Sequence, residues 1–313
     1  MQPLNYLQTP MGLVWIIMCV PLGFVLTALG YLVINKIPSK WLCDYNEVPS
    51  QELLTGKRIS FFPTGIPASA VMALGLVLCR LQFNKRYDIY FALLALILFV
   101  CLMIAAADIK YQIIPDQFTI ALGIFALMLS VYDLVRGYNI LHCAWWSPLA
   151  GAGIGAAAMM LIDFIGMIAY KRDGMGFGDV KLFLAVGILT GFPGTIYAFL
   201  ISIVTATFFF VAIIIISKIR YGNASDQENE AAKTETDAEA EEEPIYANET
   251  DMIGTESSEE NSGSEAGESP ADDKTVGFGS YLAFGPYIAA ATAAYVVLFD
   301  FIKYLAQLYL DLF

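Results

Sequence analysis

The chain has 313 residues, 58% of them apolar and 15% charged, with a mean hydropathy of +0.62; this excludes an ordinary soluble domain and points to an integral membrane protein. Its formal charge of −13 has a local source: residues 223–275 hold eighteen Asp/Glu against two Lys. That segment carries −16 and leaves +3 for the rest, so nothing suggests a nucleic-acid partner.

Apolar windows long enough to cross a bilayer predict eight spans, near 12–35, 65–82, 88–108, 117–134, 147–170, 179–192, 195–217 and 278–300. The expected fold is an all-α, polytopic membrane helical bundle. The first span follows a neutral lead-in, MQPLNYLQTP, and reads as a retained helix rather than a cleaved signal. With the N-terminus outside, twelve Lys/Arg fall on the inner side and five on the outer, the FNKRYD loop at 83–88 being the main dissent. The chain then divides into a first helix and cytosolic loop (1–64), core helices (65–222), an acidic linker (223–277) and a last helix with its tail (278–313). The linker is rich in Glu, Ser, Ala and Asn and too poor in apolar residues to bury a core, so it is expected to be disordered and cytosolic.

The five cysteines, Cys19, Cys43, Cys79, Cys101 and Cys143, never form a C-x-x-C pair, and their spacing yields no metal or redox site. His142, the single histidine, lies beside Trp145 and Trp146 and reads as an interfacial polar residue. Gly151, Gly153 and Gly155 open the fifth span. No strand precedes them, so they read as small residues for close helix contact rather than a nucleotide fingerprint.

Ionisable residues at membrane depth are costly and therefore functional candidates. Here they are Asp108 and Asp116 in DIKYQIIPD, Asp163 in LIDFIG, and Asp179 in GMGFGDVK. Asp108 closes the third predicted span and Asp179 opens the sixth, with two crossings between them, so both lie on one membrane face in either orientation. Two carboxyl groups sharing a site tend to hold one proton between them, giving an acid and a base together. Such a pair can activate water and protonate a leaving amide nitrogen.

Other readings stand beside this one. Asp179 and Asp116 each precede a helix and could be N-caps. Asp108 could be a hydrated interfacial residue, and Asp163 could bond a neighbouring helix or mark a transport path. Gly174, Gly176 and Gly178 would let an extended peptide approach the backbone closely. Lys181 could attract acidic substrate groups, tune the carboxyl pair, or anchor the inner face.

At these residues the chain resembles the type IV prepilin peptidases, membrane aspartyl proteases of the GxGD class. The resemblance rests on D-x5-I-P-D at Asp108 to Asp116, G-x-G-x-G-D-x-K at Gly174 to Lys181, and AFGPYIAAA at Ala283 to Ala291. It implies Asp108 and Asp179 as the catalytic pair, with Asp116 supporting. It also implies a cytosol-facing site in the cell membrane and, as substrate, a single-span prepilin or pseudopilin whose short basic leader is removed after a glycine. Many family members carry two C-x-x-C pairs in the first cytosolic loop and also N-methylate the new terminus. Loop 36–64 here has only Cys43, which speaks against a metal and against methyltransferase activity, and no cofactor is expected. The competing classes are another GxGD protease, against which FGP in place of a PAL motif argues, and an ion- or proton-coupled transporter. The latter predicts internal repeats that the sequence lacks.

Overall fold

The computed structural model describes residues 10–42, 58–83, 88–137, 141, 144–170, 176–239 and 284–302. Cys43, the loop residues 84–87, His142, Cys143, Gly174 and the linker residues 240–277 lie outside the described residues. Among those described, all regular structure is helical: α1 Pro10–Lys36, a 3-10 turn Ser39–Leu42, α2 Gly65–Gln82, α3 Asp88–Tyr111, α4 Asp116–Arg136, α5 Ser147–Tyr170, α6 Phe177–Glu239 and α7 Gly285–Val297. Six of these, α1 to α6, are long and apolar enough to cross a membrane. The fold is a multi-pass helical bundle, and the boundaries of α1 to α5 fall within a few residues of the apolar windows.

The sixth and seventh predicted spans are joined in α6, which breaks where Gly191 has φ 63° and Phe192 is extended. Glycine is the residue that reaches a positive φ at little cost. Phe183 and Phe199, sixteen residues apart, would be about 24 Å apart along a straight helix. Their rings lie 5.6 Å apart, so the chain reverses at the break and α6 folds back as a hairpin. Its first arm, 177–190, is shorter than a full crossing, and so is α7 with 13 residues. The described helices thus give six of membrane length, one of them folded into a hairpin, where the apolar windows suggest eight spans.

The second arm runs on through Glu239, so residues 223–239 of the acidic segment are helical where a disordered linker is expected. Ala and Glu recur there, with Gln227 and Lys233 beside them, and these are strong helix formers even without a core to join.

Two compact units are present, one of residues 1–208 and 282–313, the other of residues 209–281. Within the first, neighbouring helices pack with small residues at their crossings. A side chain on Gly23 would meet the Ala73 backbone at 2.6 Å, which holds α1 close to α2. Gly151 abuts Gly187 of the α6 first arm, and a side chain on Gly155 would reach the Phe183 carbonyl at 2.9 Å. These two glycines are the close-contact surface that the sequence suggests. Ser147 Oγ donates to the Phe192 carbonyl at 2.8 Å, tying the entry of α5 to the break in α6.

Asn35 and Ile59 exchange two hydrogen bonds, 3.0 Å from the Asn35 amide to the Ile59 carbonyl and 2.9 Å from the Ile59 amide back to Asn35 Oδ1. Arg58 Nη1 donates to the carbonyls of Ile34 and Ile37, which have few helical partners left near the end of α1. These bonds fasten the return of the first loop to the end of α1. At the opposite end of the bundle Arg80, fully buried, pairs with Asp88 at 3.0 Å and lies against the Trp15 and Phe91 rings. A buried Arg near a helix end is tolerable when an anion and aromatic faces replace part of its water.

Candidate active site

Three chain segments meet at one end of the first unit: the exit of α3, the entry of α6 and the entry of α7. Helix α3 stops after Tyr111 because Gln112 takes a left-handed conformation, φ 54°, and Pro115 then sits extended just ahead of α4. This places Asp108 in the last turn of α3, 4% exposed. Helix α6 begins at Phe177, so Asp179 is its third residue, 8% exposed. Its amide donates to the Gly176 carbonyl at 3.0 Å. A carboxylate in a first helical turn lies favourably in the field of the helix, but Asp179 does not occupy the capping position.

Asp108 and Asp179 lie in one neighbourhood: Ile114 packs against Gly285, which abuts the Asp108 carboxyl, and against Gly178, which precedes Asp179. Each keeps one buried oxygen, Oδ2 of Asp108 and Oδ1 of Asp179, without a hydrogen-bond partner. Buried polar atoms are nearly always satisfied because an unmade bond costs about 1–3 kcal/mol. Two such oxygens on neighbouring carboxyl groups mark a place built for something other than stability.

Asp116 is the first residue of α4, with Pro115 before it and no side-chain cap bond. Both its oxygens accept from Lys181 Nζ at 2.8 Å. Lys181 also lies over the Phe177 ring at 5.2 Å. Asp116 thus ties the start of α4 to the start of α6 two residues beyond Asp179, and Lys181 is committed to a carboxylate of its own chain. Each is about one third exposed, so the pair rims the buried carboxyls rather than joining them.

The glycines of GMGFGD differ. A side chain on Gly178 would touch Ile114 at 3.4 Å, whereas one on Gly176 would meet nothing within 4 Å among the described residues. The bare face of Gly178 is filled from within the chain, and that of Gly176 is open. Asp163 lies partly exposed on α5.

Two residues that stand in the I-P-D and FGP motifs, but to which the sequence assigned no role, complete the site. Ile114, of the I-P-D element, packs between Gly178 and Gly285. Gly285, first residue of α7, lies so close to Asp108 that a Cβ there would come within 2.5 Å of Oδ2 and 2.9 Å of Ile114 Cδ1. The available signal was a glycine and proline together at a helix entry, in FGP, where proline suits the first turn.

Residues 92–211 match the family described as "Type IV leader peptidase family". The resemblance to the type IV prepilin peptidases therefore holds. The matched segment contains Asp108, Asp116 and Asp179. Similar curated proteins are each called "Prepilin leader peptidase/N-methyltransferase". The one from Escherichia coli K12 is 28% identical over 110 residues, 31% of this chain and 41% of that protein. The one from Bacillus subtilis 168 is 27% identical over 166 residues, 52% of this chain and 60% of that protein. The one from Xanthomonas campestris pv. campestris is 28% identical over 153 residues, 48% of this chain and 50% of that protein. The chain thus spans about half the length of the curated relatives it matches. No solved structure matches it.

Proposed function

We propose that the chain is an intramembrane aspartyl endopeptidase that removes short basic leaders from prepilin-like or pseudopilin-like proteins with one membrane helix. The observation that carries this reading is the meeting of Asp108 and Asp179, each buried with an unpartnered oxygen. The prepilin peptidase relatives support the substrate class.

One carboxylate takes a proton from water as the water oxygen bonds to the scissile carbonyl carbon. The other carboxyl gives its proton to the amide nitrogen as the C–N bond breaks, releasing a carboxyl terminus and a new amine. Because the pair shares its protons, leader removal should fall away on both sides of a pH optimum. On the acid side no base remains, and on the alkaline side no acid.

A scissile bond must be extended to be attacked, and the open face of Gly176 beside Asp179 is suited to an approaching strand. The substrate helix would pack laterally against the bundle. The site is assigned to the cytosolic face because Lys and Arg concentrate in the loops of that side. Methyltransferase activity is not part of the proposal, since loop 36–64 lacks the paired cysteines of many family members.

The test is co-expression with a prepilin-like substrate, with leader removal followed by mass. Asp108→Asn and Asp179→Asn should each lower processing by at least about a hundredfold, the lower range for loss of an acid–base group. Processing that survives both substitutions would reject the assignment.

A further inference from the structure

We propose that Gly285 is a positioning residue for the Asp108 carboxyl: the side-chain-free start of α7 is the wall that fixes where this carboxyl stands relative to Asp179. The proposal deepens the peptidase reading and rests on it. Gly285 lies well beyond residue 211, where the matched family segment ends, and none of the aspartates points to it by spacing.

The geometry is specific about what the glycine accommodates. The nearest atoms to an added Cβ are Asp108 Oδ2 at 2.5 Å, Ile114 Cδ1 at 2.9 Å and Asp108 Cγ at 3.1 Å. All three are side-chain atoms, so the tightest contacts are with groups that can turn aside rather than with backbone. What lacks room is the outer end of the Asp108 side chain and one methyl of Ile114. No positive φ accounts for glycine here either, since Gly137 and Gly191 are the glycines with φ in that range among the described residues. The entry of α7 thus sets a close wall against the Asp108 carboxyl.

A carboxyl pressed by a methyl group on this position would have to swing from its present rotamer. General acid–base work depends on sub-ångström placement, and a displacement of about 1 Å can cost about a hundredfold. Ile114 makes the contact adjustable, because it also packs on Gly178, one residue before Asp179. The three segments carrying Asp108, Asp179 and Gly285 therefore share one packing contact.

The experiment compares Gly285→Ala, Gly285→Ala with Ile114→Val, and Asp108→Asn as purified full-length chains cleaving a prepilin-like substrate, together with thermal unfolding. Gly285→Ala is expected to lower kcat by about tenfold or more, with KM within about twofold. Ile114→Val, which removes the Cδ1 atom, should restore part of the loss. Gly285→Ala at full kcat beside an inactive Asp108→Asn overturns this inference and leaves the peptidase reading standing. An active Asp108→Asn instead removes the peptidase reading.

Unfolding supplies an independent arm, should Gly285→Ala accumulate poorly. Introduced into an Asp108→Ala background, which lacks Oδ2, the substitution should lower the unfolding midpoint less than it does in the unaltered chain. Equal damage in both backgrounds would show that the carboxyl is not what the glycine accommodates, and the inference fails.

Discussion

Lys181 and Asp116 illustrate how a residue's neighbours change its meaning. Alone, Lys181 could be an interfacial anchor or a lure for acidic substrates, and Asp116 a helix cap; in the fold they bind each other with two 2.8 Å bonds. Being about one third exposed, the pair should contribute only ~0.2–1 kcal/mol to stability. Its larger effect should be on orientation, since it joins the entry of α4 to the helix bearing Asp179. Lys181→Met and Asp116→Asn should each slow leader removal severalfold with a small fall in unfolding midpoint. The double variant should be no slower than the worse single, and additive losses would deny the coupling. Gly176→Ala, whose new methyl meets nothing among the described residues, should leave unfolding unchanged and raise KM; an unchanged KM would remove Gly176 from the substrate path.

At the scale of elements, the hairpin in α6 is the feature on which the site's geometry depends. Its first arm carries Asp179 and is pressed against α5 by the Gly151–Gly187 contact, where a side chain on Gly187 would meet the Ala152 amide nitrogen at 2.5 Å. Backbone cannot move aside as a side-chain end can. Gly187→Val should therefore destabilise the folded chain by ~1–3 kcal/mol, the usual range for overpacking, measured as a lower unfolding midpoint in detergent. A midpoint equal to that of the unaltered chain would mean the helices separate without cost.

The helix windows are legible because hydropathy over about twenty residues is a strong signal. The reversal is less so: GFPG at 191–194 marks a break, but only the 5.6 Å contact between Phe183 and Phe199 distinguishes a hairpin from a kink. The helical run through 223–239 escapes a reading that weighs low hydrophobicity over local helix propensity.

For the whole molecule, Asp108, Asp179 and Gly285 all belong to the compact unit of residues 1–208 and 282–313, whereas the acidic segment, 223–277, belongs to the other unit. Deleting 256–275 while keeping α7 should thus leave leader removal within about twofold, since the residues left between Glu239 and Phe284 can still reach about 80 Å and the closure entropy of a loop changes only slowly with its length. Removing α7 as well should abolish it, because the wall at Asp108 goes with it. Loss of processing on the first deletion alone would assign the acidic segment a direct role.

By itself the sequence determined that this is a multi-pass helical membrane protein, and that Asp108 and Asp179 share one face. Hydropathy and the count of crossings are one-dimensional quantities, so no coordinates are needed for either. Only the tertiary structure decided that Asp116 belongs to Lys181, that Gly178 is filled by Ile114 while Gly176 is open, and that Gly285 stands against the carboxyl of Asp108. Those facts depend on sub-ångström distances between segments as many as 177 residues apart, and no local pattern of residue types encodes such distances.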